Sequence, residues 1–326
     1  MAAIISAIYL AITCGTTVLF GAVGETVTEK SGNLNLGIPG IMSFGAISAY
    51  FGVFAYDKII AFLSELFGVK IPIIGFLAVI FALVFCVIGS AAISFIYAFL
   101  TTTLRANQNV TGLALTTFGV GASTFIGVSL NASLSARYAK FFNSACPFPR
   151  SFGDLLFSFE IWVFLAIGIA IASHLIFRKT KVGLKLRAVG ESPATADAAG
   201  VNVGKYKYAA TIIGGVIAGI GGLYYLLCTK DVLFESSSFN TDMAWLAIAL
   251  VIFTLWKPTL AIPASYLFGL LLSIDAVVKL PTRYEPLLQM TPYVLTIVIL
   301  IIVSIRNKKE NQPPASLGTN YFREDR

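Results

Sequence analysis

The sequence predicts an all-α fold: a polytopic transmembrane helical bundle of about eight to ten spans, with a broken or re-entrant segment near residues 31–40. Three observations carry this. Hydrophobic residues make up 57% of the 326-residue chain and charged residues 12%, about half the charged share of a soluble domain. Mean hydropathy is +0.85. The apolar residues fall in long blocks with the charges in the gaps, and a hydrocarbon core about 30 Å thick needs roughly 20 apolar residues per helix.

Blocks suited to spanning cover 3–24, 34–56, 72–103, 109–131, 156–177, 208–228, 243–256, 259–278 and 291–305. The third is long enough to tilt strongly or to run past the membrane. The seventh and eighth are short and are separated by Trp256-Lys257-Pro258, where a tight hairpin is expected because proline starts a helix well and interrupts one. Between the second and third, 57–70 reads as a short amphipathic interfacial helix. The N-terminus lacks a basic region and a small-residue cleavage site, so the first block is expected to be retained as a span. Residues 1–310 are expected to form one transmembrane domain with a cytoplasmic loop at 178–207, and 311–326 a cytoplasmic tail.

Orientation follows from charge. The net charge of +7 is concentrated in the 178–207 loop and the C-terminal tail. That is the pattern of cytoplasmic segments beside an anionic leaflet rather than of a nucleic-acid binder. The loop carries Arg178, Lys179, Lys181, Lys185, Arg187, Lys205 and Lys207 against Glu191 and Asp197. Counting spans from it puts Lys257, Arg105 and the tail inside. The same count puts 131–154, 229–242, 279–290 and the N-terminus outside, although 131–154 itself carries Arg137, Lys140 and Arg150.

Little in the chain points to catalysis. Cys14, Cys86, Cys146 and Cys228 form no C-x-x-C pair, so packing is expected of them rather than metal or redox chemistry. His174 is the only histidine and has no partner set for a metal or a relay. Gly200-Val-Asn-Val-Gly204-Lys205-Tyr206 has the wrong spacing for a P-loop, and Tyr stands where Ser or Thr must reach magnesium. No ATP hydrolysis, and no cofactor, is expected of this chain. An ion-coupled carrier would need intramembrane carboxylates or histidines. The candidates, Asp275, Glu160 and His174, all fall near span ends.

Polar residues inside apolar blocks are costly and often functional. Asn33 and Asn35 lie in Ser31-Gly-Asn-Leu-Asn-Leu-Gly-Ile-Pro-Gly40, where glycine and proline disfavour an unbroken helix and exposed backbone must meet protein or a water-filled cavity. Asn107, Gln108, Asn109 and Thr111 open the fourth block. They either contact a polar substrate or gate it, or they cap the helix and bond its neighbours. Asp275 either lies in the pathway or simply reaches the interface. Gly215-x-x-x-Gly219 is the pattern of closely approaching helices.

The basic loop holds Glu191-Ser192-Pro193-Ala194-Thr195-Ala196-Asp197-Ala198-Ala199-Gly200. Ser192 suits an N-cap, Pro193 the first helical position and Gly200 the stop. The short helix has no apolar stripe to bury in its own bundle, so it is expected to dock into another protein or else to be a solvated connector.

The segment Gly183-Leu-Lys-Leu-Arg-Ala-Val-Gly-Glu-Ser-Pro-Ala-Thr-Ala-Asp-Ala-Ala-Gly-Val-Asn-Val resembles the cytoplasmic loop of ABC-importer permeases of the branched-chain amino acid, ribose and nucleoside group. Ser31 to Met42 is similar to that family's N-terminal signature and Ala106 to Leu115 to its middle one. Trp256-Lys257-Pro258 and Leu287-Leu-Gln-Met-Thr-Pro-Tyr293 are similar to its C-terminal region. The pattern is colinear over about 20–305 and looks closest to nucleoside and simple-sugar permeases. One departure is Pro39, where the family usually has an acidic residue. The resemblance implies a multi-pass subunit of the bacterial cytoplasmic (inner) membrane that moves nucleosides inward, with sugars or branched-chain amino acids as alternatives. It also implies a second, paralogous permease subunit, an extracytoplasmic binding lipoprotein, and two ATPase subunits that carry ATP and magnesium. Glu191, Ser192, Pro193, Ala194, Thr195, Asp197, Ala198 and Gly200 would then form the coupling helix.

Overall fold

A computed structural model describes residues 2–69, 72, 75–143, 161–228, 238–274, 287, 290–306 and 312–322. Glu160, Asp275 and Cys146, the 144–154 part of the expected outer loop, Leu288-Gln289 and Lys308-Lys309 lie outside them, as does most of 279–290.

The described residues with regular structure are helical. Helices α1 (Ala2–Glu29), α2 (Ile38–Phe67), α3 (Gly75–Ala98), α4 (Gln108–Asn143) and α5 (Ile161–Lys179) are followed by two short helices of the basic loop, α6 (Lys181–Glu191) and α7 (Pro193–Ala198). Then come α8 (Val203–Cys228), α9 (Ser238–Phe253), α10 (Pro258–Leu272) and α11 (Thr291–Arg306). Among the described residues six helices, α1 to α5 and α8, are long and apolar enough to cross a membrane. Helices α9, α10 and α11 are shorter and apolar. Each corresponds to one predicted block, so the chain is a polytopic helical bundle.

Three local expectations change. Residues 131–143, expected within the outer loop 131–154, continue α4 to Asn143. Residues 57–67 are not a separate interfacial helix but the continuation of α2. No proline or glycine interrupts it, and Tyr56 keeps it paired with α3 by packing on Phe81 at 5.2 Å between ring centroids. The helix stops at Gly68, whose φ of 62° is a left-handed cap. The third block is also not one regular helix: α3 ends in a π-helical turn, Phe99–Thr103, followed by Arg105 at a φ of 56°.

Helices α1, α2 and α8 form the buried centre, with α3 against α2 and α8. The close approach rests on small residues. A Cβ on Gly24 would meet the Gly214 carbonyl, and one on Gly215 or Gly219 would land on the hydroxyls of Ser94 or Ser90. Helices α3, α4 and α5 keep large apolar side chains on the outside, among them Phe76, Ile88, Phe118, Phe125 and Phe164, as lipid contact requires.

The basic loop, residues 30–37, the turn after α3, the Trp256 turn and residues 312–322 gather at one end. There the Ser316 N–H donates to the Gly190 carbonyl at 3.0 Å and Gly318 N–H to Gly32 at 3.2 Å. The Asn320 amide donates to the Arg105 carbonyl at 2.6 Å. The start of α1 lies at the opposite end.

Candidate functional site

Residues 30–37 leave the helical pattern between α1 and α2. A Cβ on Gly40 would meet the backbone of Leu115 and Thr116, so α2 begins level with a point roughly two turns along α4 from Gln108. The broken segment therefore enters the bundle, where its backbone groups need partners in the protein. They have them. The Leu34 N–H donates to Gln108 Oε1 at 2.7 Å, Asn35 N–H to Glu25 Oε1 at 3.0 Å, and Gly37 N–H to Asn35 Oδ1 at 2.9 Å. The Leu34 carbonyl accepts from the Tyr97 hydroxyl, and the Leu36 carbonyl from Thr116 Oγ1 at 2.8 Å. Asn33 Nδ2 donates to Thr211 Oγ1 at 3.1 Å, tying the segment to α8. Pro39 sits in the first turn of α2, a position where its missing N–H costs nothing.

Three atoms stay unpaired. Asn33 and Asn35 are both 0% exposed, yet Asn33 Oδ1, Asn35 Nδ2 and Glu25 Oε2 have no hydrogen-bond partner among the described residues. A buried polar group without a partner costs about 1–3 kcal/mol. One amide acceptor, one amide donor and one carboxylate oxygen are thus available beside the break.

The middle group splits. Asn107 caps α4: its Oδ1 accepts from Val110 N–H at 3.1 Å and its carbonyl from Thr111 Oγ1 at 2.8 Å. Gln108, buried, holds Leu34 on one side and donates to the Thr319 carbonyl and Asn320 Oδ1 at 3.4 and 3.3 Å on the other. Asn109 is exposed.

Glu25 and Glu29 were missed in the sequence, because the first block was drawn to end at Gly24. They are 0% and 2% exposed, so the chain buries two carboxylates beyond the candidates Asp275 and Glu160 that the sequence offers. Both have backbone or side-chain work in the fold: Glu25 receives the Asn35 N–H, and Glu29 accepts from the Trp256 indole. Their spacing of one helical turn, continuing the helix past an apolar block, was the available signal. Next to them, burial pushes the Lys30 ammonium below its usual range, and the Glu191 carboxylate opposes that shift.

In the basic loop, Ser192 accepts from Thr195 N–H at 3.3 Å and Pro193 opens α7. Gly200 ends the turn at a φ of 79°, with its N–H on the Asp197 carbonyl at 2.9 Å. The expectation that this helix buries nothing in its own bundle is corrected: Ala196 is 3% exposed and packs with Val189 and Val203, flanked by Tyr206 and Tyr321. An anchored inner face leaves Ala194, Thr195, Ala198 and Gly200 facing out with Glu191. Asp197 accepts from the Tyr321 hydroxyl at 2.9 Å, which the sequence did not indicate.

The family described as "Branched-chain amino acid transport system / permease component" matches residues 7–303. The chain belongs to this permease family. It is therefore a transport subunit and a multi-pass integral protein of the bacterial inner membrane. Among similar proteins, the nucleoside ABC transporter permease NupC of Lactococcus lactis is 30% identical, with 94% of each chain covered. The guanosine ABC transporter permease NupQ of Bacillus subtilis is 30% identical, with 86% of each covered. The putative glucose ABC transporter permease TsgC13 of Haloferax volcanii is 28% identical, with 95% of each covered. No solved structure matches. The permease is thus an ABC-transporter component of the nucleoside and sugar type.

Proposed function

We propose that this permease carries nucleosides, purine nucleosides among them, inward across the cytoplasmic membrane as part of an ATP-driven importer. Near full-length likeness to two nucleoside permeases carries the reading. The chemistry beside the broken segment supports it. The free Asn33 acceptor, Asn35 donor and Glu25 carboxylate oxygen fit a polar solute that carries donors for the two oxygens and an acceptor for the amide nitrogen. Gln108, Asn107, Asn109 and Thr111 stand at the cytoplasmic mouth of the same path.

Two permease subunits, this chain and a paralogue, enclose the pathway in this reading, and a binding lipoprotein delivers the substrate from outside. ATP and magnesium sit on two partner ATPases. The outward face of α7 enters a groove on an ATPase, and its anchoring through Ala196 and Asp197 passes the ATPase motion to α8 and the broken segment. A stiff, capped helix suits that task because a flexible loop would absorb the displacement.

The test is uptake of labelled guanosine, adenosine and glucose by cells that express the transporter, with and without this chain. Uptake of guanosine that requires the chain and competes with other nucleosides is expected. Glucose uptake without nucleoside uptake would replace the nucleoside reading with the sugar one.

A further inference from the structure

A cavity of about 410 Å³ lies at the cytoplasmic end, between the π-helical turn after α3, the loop after α7 and the first turn of α8. Thr101, Thr102, Arg105, Asn202, Gly204 and Lys207 contribute to its walls. We infer that this cavity binds a phosphate-bearing anion.

Lys207 is the first reason. It is 3% exposed, and no carboxylate or hydrogen bond engages it among the described residues. An ammonium held out of water without a partner costs several kcal/mol, and here it lines an open polar cavity rather than apolar core. Arg105 is a second cation on the same wall. Its guanidinium lies over the Phe322 ring at 4.6 Å, and its carbonyl is held by Asn320, so the side chain is positioned from a left-handed backbone that a loop would not otherwise favour.

The start of α8 is the second reason. The 26-residue helix directs its first N–H groups, which have no intrahelical acceptor, at the cavity. Asn202 caps only one of them, accepting from Lys205 N–H at 3.0 Å, while Val203 and Gly204 line the cavity. Thr102 Oγ1 is a buried atom without a partner on the opposite wall. Helix end, two cations and hydroxyls are the donor set that phosphate oxygens take. Asp197, which accepts from the Tyr321 hydroxyl, also lines the cavity and keeps its negative charge, so the two cations Arg105 and Lys207 exceed it by one.

The glycine-rich run from Gly200 to Gly204 borders this cavity. The cation that enters is Lys207, while Lys205 faces solvent. The cavity exceeds a bare phosphate and leaves room for an ester group, either from a soluble phosphate ester or from an anionic lipid headgroup of the inner leaflet. A bound anion would join the end of α3, the coupling loop and the tail.

The full-length permease in nanodiscs of phosphatidylcholine, titrated with radiolabelled orthophosphate, tests the proposal. In a second arm, phosphatidylglycerol is included and retained lipid is read by native mass spectrometry. Saturable orthophosphate binding that phosphatidylglycerol leaves unchanged assigns a soluble phosphate. Displacement of orthophosphate together with retained phosphatidylglycerol assigns a lipid headgroup. Either way Lys207→Met and Arg105→Gln each lower the affinity at least tenfold. Arg105 is exposed, so its variant carries the test if Lys207→Met fails to insert. Absence of both ligands, or affinity unchanged in both variants, overturns the proposal.

Discussion

Gln108 shows how one side chain joins three parts of the chain. Its carbonyl oxygen holds the Leu34 N–H of the broken segment, and its amide nitrogen reaches Thr319 and Asn320 of the tail. Replacing it by alanine strands a buried backbone donor, which costs about 1–3 kcal/mol. Gln108→Ala is expected to lower the thermal unfolding midpoint measured in detergent, and Gln108→Glu, which keeps the acceptor for Leu34, to lower it less. Equal losses would show that the Leu34 contact is not the one that matters. Gln108, Asn33 and Asn35 were legible because an amide in an apolar block is costly and stands out. Glu25, Glu29 and Lys207 were not. Each lies where a block boundary or a basic loop made a charge look solvated, and only the packing of α1 against α8, and of α8 against the end of α3, removes it from water.

At the level of elements, α8 is fitted to its neighbours by absent side chains. Gly219 faces Ser90 of α3 and Gly45 of α2. Gly219→Leu is expected to force these helices apart at a cost of about 1–3 kcal/mol, read as a lower unfolding midpoint. The same change at Gly168, a helical glycine with open space around its Cβ position, is expected to leave the midpoint unchanged and so isolates the contribution of packing. Helix α7 depends on Gly200 in another way. Its φ of 79° is left-handed, a region that costs an L-residue about 1–2 kcal/mol. Gly200→Val is expected to distort the turn after α7 and to abolish uptake while the protein inserts normally. Unchanged uptake in that variant would remove α7 from the coupling path. The caps of α7 were readable because capping is a matter of three or four adjacent residues. The burial of Ala196 was not, since its partners Val189, Val203 and Tyr321 belong to other elements.

For the whole molecule, residues 312–322 act as a strap over the end of the bundle that carries the basic loop. Ser316 bonds the Gly190 carbonyl, Gly318 the Gly32 carbonyl, Asn320 the turn before α4, and Tyr321 helix α7. Deleting residues 312–326 is expected to lower the unfolding midpoint and to reduce uptake well below that of the full chain, as measured in the same cells. A tail that merely hangs in solvent would leave both unchanged.

The sequence by itself determined the class of the protein, the order of its apolar helices, the break near Asn33 and the capped helix on the basic loop. These follow from the transfer free energy and the local conformational preference of contiguous residues, which a sequence states directly. Only the tertiary structure decided that α2 runs on to Phe67, that Glu25 and Glu29 are buried against the break, and that the tail binds α7. Those outcomes depend on which distant segments meet, and no local free energy contains that choice.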